Sequence, residues 1–149
     1  MASASGRLTF VLDANSGGLL PLLRAARVVR HEALTDLEEL GFPAGALDPE
    51  ILADLGARGG HVLVTRDGAM LTPLTQRGAW REAGLMLFLL GKRWGELPLS
   101  ELTRRVMFLW PTIVEIAETG GPGAAWRVSP TVPVVPSASF RPVTGLHAG

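Results

Sequence analysis

The chain has 149 residues, no cysteine, and 14 Lys plus Arg against 14 Asp plus Glu. Its length suits one domain with a single hydrophobic core, and the lack of cysteine excludes a disulfide framework, thiolate chemistry and zinc–cysteine sites. The balanced charge excludes a global positive field of the kind that attracts nucleic acid, so any such contact needs a local patch.

Charged residues make up 19% of the chain, below the roughly 25% usual for globular proteins, and mean hydropathy is +0.27. Spare apolar surface is expected, and a homo-oligomer would cover it. The longest apolar run, Leu85 to Leu90, is six residues, far short of the roughly 20 that span a bilayer. No membrane segment is expected. The start, MASASGRLTF, holds no apolar stretch of signal-peptide length before the first strand, so the expected location is cytoplasmic.

Leu8 to Asp13, LTFVLD, opens the chain as an apolar strand that stops on an acid. After Gly17-Gly18, the leucines of LLPLLRAA suit a short helix with Pro21 in its first turn. Arg27 to His31, RVVRH, reads as a brief second strand, and Ala33 to Leu40 as a helical turn ending at Gly41. DPEILADLGARGG is a clear helix: Asp48 at the N-cap, Pro49 at the first position, Glu50 in the first turn, Gly59-Gly60 as the stop.

His61 to Asp67, HVLVTRD, is again a buried strand that ends in a charge. Met70 to Gly78 suits a short helix, and Leu85 to Leu90 a further buried strand. Leu99 to Glu118 is the longest helical segment, which Pro111 is expected to kink or divide near Trp110. Trp126 to Val128 reads as a last edge strand, and Gly, Pro and Ser then dominate, marking a poorly ordered tail from about Ser137. Strands alternating with helices predict an α/β fold with a mostly parallel sheet.

Two strands that each deliver an aspartate at their carboxyl end, Asp13 and Asp67, are the central chemical feature. In open α/β sheets ligands bind outside the carboxyl ends of the strands, so neighbouring strands would turn both acids into one crevice. Each acid also has an ordinary use: Asp48 as a helix cap, Asp67 before Gly68 as a turn residue, Asp13 as a cap of the next turn or helix. Arg66 suits a substrate phosphate or a surface ion pair, and Thr65 either the site or simply the strand. Arg24, Arg27 and Arg30 with His31 form the densest basic stretch. A dinucleotide domain would need a glycine-rich turn where Asp13-Ala14-Asn15 stands, and a phosphatase-type Asp-x-Asp would need an acid at Asn15.

The ordered trio LTFVLDANSGG, DPEIL and VLVTRD resembles the PIN-like nucleases, above all their compact toxin-like and Mut7-C-like branch. The resemblance runs from about Leu8 to Glu118 and implies a three-layer α/β/α sandwich over residues 1–128, with 129–149 as a Pro/Ser/Gly-rich tail. It implies that Asp13, Asp48 and Asp67 are catalytic and hold Mg²⁺ or Mn²⁺ for phosphodiester hydrolysis, with Asn15, Glu50, Thr65 and Arg66 behind them or on the substrate. Such a cluster suits hard cations, which take oxygen ligands, and one or two such ions neutralise phosphoryl charge and activate water. The implied partners are an RNA substrate and, for a toxin, an antitoxin-like protein. Ala69 stands where the family often has a further acid, and Ala14 where an acid or amide is common; Glu38 and Glu50 are the substitutes at hand. The alternative is a PIN-like domain with catalysis weakened or lost, serving as a protein- or RNA-binding module.

Overall fold

The computed structural model describes residues 8–13, 18–29, 32–42, 49–65, 81–120, 123–130 and 135–143. Their elements run in the order β1 (Thr9–Leu12), α1 (Leu19–Ala25), β2 (Ala33–Asp36), α2 (Pro49–Arg58), β3 (His61–Thr65), β4 (Met86–Leu89), α3 (Leu99–Thr119), β5 (Ala125–Val128) and β6 (Phe140–Pro142). Short 3₁₀ turns at Lys92–Glu96 and Pro136–Ser139 precede α3 and β6. Among the described residues the strands make one six-stranded sheet in the order β2-β1-β3-β4-β5-β6, parallel except for β6.

The sheet is covered on both faces, as its unbroken apolar strands require. Phe10, Leu12, Val62, Val64 and Phe88 face α1 and α3, where Leu23, Val106, Leu109 and Trp110 meet them. Val11, Leu63, Leu87 and Leu89 face the other way, onto Ile51, Leu52 and Leu55 of α2. Alternation along each strand therefore supplies two cores, and the fold is a three-layer α/β/α sandwich. Full burial stabilises each such Leu or Phe side chain by roughly 1.5–3 kcal/mol.

Most expected elements stand where the residues place them. α1 carries Pro21 in its first turn, and α2 begins at Pro49 with Glu50 in its first turn. It ends before Gly59 and Gly60, whose φ of 75° and 70° suit only glycine comfortably. The helix expected over Met70 to Gly78 lies outside the described residues.

Several expectations are corrected. The second strand is Ala33–Asp36; of the expected Arg27–His31, residues 27–29 stay out of the sheet and 30 and 31 lie outside the described residues. Arg27 takes a left-handed φ of 55°, and Val28 and Val29 pack on the core without joining the sheet. The helical turn comes after β2 instead of replacing it: Leu40 N–H donates to the Asp36 carbonyl and Gly41 N–H to that of Glu38.

Pro111 does not divide the long helix, which runs unbroken for 21 residues. The proline lies on the exposed face, where water can serve the carbonyl that lost its donor, while the turns around it are held by Leu109, Trp110, Ile113 and Val114 in the core. Finally, β5 is not an edge. Residues 136–142, placed in the tail by composition, form a 3₁₀ turn and β6, which pairs antiparallel outside β5 and carries Pro142 where an edge tolerates it.

Of the tryptophans, Trp94 and Trp110 are core residues, with Trp94 Nε1 donating to the Val128 carbonyl at 2.8 Å. Among the described residues no helix is long and apolar enough to cross a membrane.

Candidate functional site

The strand order fixes where a site belongs. From β1 the chain steps outward to β2 on one side, then crosses back to β3 on the other, so the sheet reverses direction between β1 and β3. Ligand crevices in open α/β sheets open at this reversal, outside the strands' carboxyl ends.

The register then decides which residues stand there. Leu12 lies opposite Val64, which sets the next residues, Asp13 and Thr65, side by side at the mouth of the crevice. The Thr65 hydroxyl donates a hydrogen bond to Asp13 Oδ2. Asp13 is only 4% exposed and Thr65 is fully buried. A carboxylate so placed is costly unless it is hydrogen-bonded, and the threonine supplies a donor. Thr65 is itself fixed, because its carbonyl accepts the Leu90 N–H at 2.7 Å. The pair thus rests on three adjacent strands, the rigid placement that a binding group needs.

The remaining expected residues divide into two groups. Asp48, Asp67, Asn15 and Arg66 lie outside the described residues. Glu50 is exposed in the first turn of α2, and Glu38 is exposed in the turn after β2. Among the described residues no group of three or more His, Cys, Asp or Glu side chains is gathered to hold a metal. Asp13 and Thr65 offer oxygen donors alone, the type that Mg²⁺ and Mn²⁺ prefer, and Mg²⁺ needs only one or two protein carboxylates. The described part of the site therefore fits such an ion.

Two acids escaped the sequence reading. Asp36 ends β2 opposite Leu12, on the same edge of the sheet as Asp13. Its Oδ1 accepts the Glu39 N–H at 2.8 Å, and the Asp-x-x-Glu spacing of Asp36 and Glu39 is the capping signature that would have revealed it. Glu32 is buried at the opposite edge, just before β2, and accepts the Trp110 Nε1–H at 2.9 Å. Nothing in its sequence neighbourhood signals that burial.

Of the basic stretch, Arg24 is committed, while Arg30 and His31 lie outside the described residues. Arg24 makes a two-pronged pair with Glu39 and donates to the Leu34 carbonyl, so it ties α1 to the outer edge of β2. Hydrogen bonds from Arg24, and secondarily from the Thr35 hydroxyl, hold the Glu39 carboxyl down at about 2. Arg24 and Arg27 line a cavity of about 320 Å³ with Leu23, Val29 and Leu34.

These features define a doubly wound α/β domain with an acid–hydroxyl pair at its switch point. The model of the PIN-like domain family matches residues 8–92, which span β1 to the turn after β4. The chain belongs to the PIN-like domain family, whose members are in general metal-dependent nucleases that use divalent ions. No curated protein and no solved structure matches the chain.

Proposed function

We propose that the protein is a toxin-like endoribonuclease that uses Mg²⁺ or Mn²⁺ held by Asp13, Asp48 and Asp67, and that it acts in the cytoplasm. The observation that carries this reading is the buried Asp13–Thr65 pair at the β1/β3 switch point of a chain of this family. In the sequence, Asp67 comes two positions after Thr65 and Asp48 directly precedes Pro49, the first residue of α2. A divalent ion, when bound, neutralises phosphoryl charge and makes water a better nucleophile.

The chain's own residues do the rest. Asp13 presents carboxylate oxygen from a strand end that cannot sag, because β1 is paired on both sides. Thr65 keeps that carboxylate in one orientation. Arg66 offers a guanidinium fork to a substrate phosphate, and Asn15 and Glu50 contribute further oxygens around the carboxylates. A toxin of this kind requires an antitoxin-like partner that closes the crevice until cutting is needed.

Calorimetric titration with Mn²⁺, followed by an RNA cleavage assay, tests this on the parent, Asp13→Asn and Asp67→Asn. The parent should bind and cut, and both variants should lose both properties while keeping the fold. A parent that neither binds at millimolar metal nor cuts overturns the nuclease reading. Its Ala69 would then mark the catalytically silent binding module.

A further inference from the structure

The longest helix carries a surface that the site does not use. α3 buries Leu102, Val106, Leu109 and Ile113 toward the sheet. On its outer face Arg104, Met107, Phe108, Pro111 and Glu115 are exposed, and their three- and four-residue spacing makes them one stripe. Met107 and Phe108 are 37% and 39% exposed. With Pro111 they form an apolar centre flanked by a base on one side and an acid on the other.

Beyond Glu101 in its first turn, those charges run against the helix that bears them. The macrodipole favours acids at the start of a helix and bases at its end. In α3 the bases Arg104 and Arg105 lie in the N-terminal half, with Glu101 shared between them. The last turn has no base, and Glu115 and Glu118 stand in the C-terminal part. Among the described residues the Glu115 carboxylate has neither hydrogen bond nor ion pair. The exposed stripe is therefore basic at one end, where Arg104 also pairs with Glu101, and acidic at the other.

An antiparallel second copy repairs this. A two-fold axis crossing α3 between Leu109 and Trp110 sets Arg104 opposite Glu115 of the other copy and Phe108 opposite Pro111. The same operation opposes the two macrodipoles and withdraws the apolar centre from water. We infer that the outer face of α3 is the self-complementary interface of a homodimer, built from the Met107–Phe108–Pro111 centre and closed by reciprocal Arg104–Glu115 pairs. Isologous contacts of this kind are the commonest way in which soluble chains associate. The surface lies beyond residue 92, outside the segment that matches the family, and is independent of the metal reading.

Sedimentation equilibrium of the full chain tests the interface. The parent should be a dimer. Glu115→Arg, which opposes like charges at both ends, should weaken it by about tenfold or more in Kd, and Phe108→Glu should do at least as much. The swap Arg104→Glu with Glu115→Arg should restore the dimer. Far-UV circular dichroism checks folding, and Glu115, being exposed, keeps the test open if Phe108→Glu fails to fold. A monomeric parent, a dimer that persists in folded Glu115→Arg, or a swap that stays monomeric overturns the inference.

Discussion

The Thr65 hydroxyl points its proton at the Asp13 carboxylate across two strands that are far apart in sequence and adjacent in the sheet. This makes the threonine a positioning residue for the acid. Thr65→Val keeps the shape of the side chain but removes the donor, leaving a buried carboxylate short of one hydrogen bond. Such a loss costs about 1–3 kcal/mol, and losing the support behind a metal ligand typically weakens metal binding 10–100-fold. Thr65→Ser keeps the hydroxyl, so it should bind Mn²⁺ close to the parent level. Titration of the parent and both variants checks this; equal affinity in Thr65→Val shows that the hydroxyl does not serve the site.

Gly56, in the last turn of α2, is a second position with a definite outcome. Helix propensity alone predicts that Ala there stabilises by up to about 1 kcal/mol. A Cβ at this position would sit 2.4 Å from both the Cβ and the carbonyl oxygen of Ala83. Backbone cannot swing aside as a flexible side chain can, so α2 would have to lift off the segment that leads into β4. Gly56→Ala should therefore lower stability by about 1–3 kcal/mol in urea denaturation. A gain in stability instead would mean that α2 does not pack there so closely.

How much of this could be read from the residues depends on burial. β3 and β4 are covered on both faces, so HVLVT and MLFL announce themselves as apolar runs. β2 does not, because ALTD lies at the edge and only Leu34 is buried. RVVRH has the better strand composition, but Arg27 takes a left-handed turn and the valines fill space beside the core. β6 is three residues with a proline, legible only once β5 offers it an edge. Asp13 was legible as an acid at the end of an apolar run. Its pairing with Thr65 was not, since that depends on β1 lying next to β3 rather than only beside β2.

The Arg24–Glu39 pair gives a pH dependence with a definite sign. The Glu39 carboxyl is lowered from its ordinary 4.5 to about 2 by hydrogen bonds from Arg24 and Thr35. A depressed carboxyl contributes stability that is present above its unfolded pKa and is lost as pH falls through the folded one. Stability should thus decline between about pH 4.5 and pH 2 by more in the parent than in Glu39→Gln. The effect is small and salt-sensitive, because the two side chains are 45% and 44% exposed. Thermal melts across that range, at low and high salt, compare the two proteins. Parallel curves would mean that the pair does not persist in solution.

Glu32 and Trp110 join the edge of β2 to the middle of α3, far from the carboxyl ends where the site lies. The indole Nε1–H donates to Glu32 Oε2 at 2.9 Å, and the Trp110 ring tilts against Phe10 with centroids 5.1 Å apart. Glu32 is 4% exposed and Trp110 1%, so water cannot readily replace a donor that is removed. Trp110→Phe keeps an aromatic ring in the core but takes away that donor and some packing. It should cost about 2–4 kcal/mol, since a buried acceptor loses its donor and the smaller ring leaves a void. Glu32→Gln retains an acceptor for the indole and should cost less. Because the contact is at the opposite edge of the sheet from Asp13, Mn²⁺ affinity of the folded Trp110→Phe variant should equal that of the parent. Denaturant unfolding measures the first effect and calorimetry the second. A stability change under about 0.5 kcal/mol, the level of an ordinary surface substitution, would show that the indole does not hold Glu32.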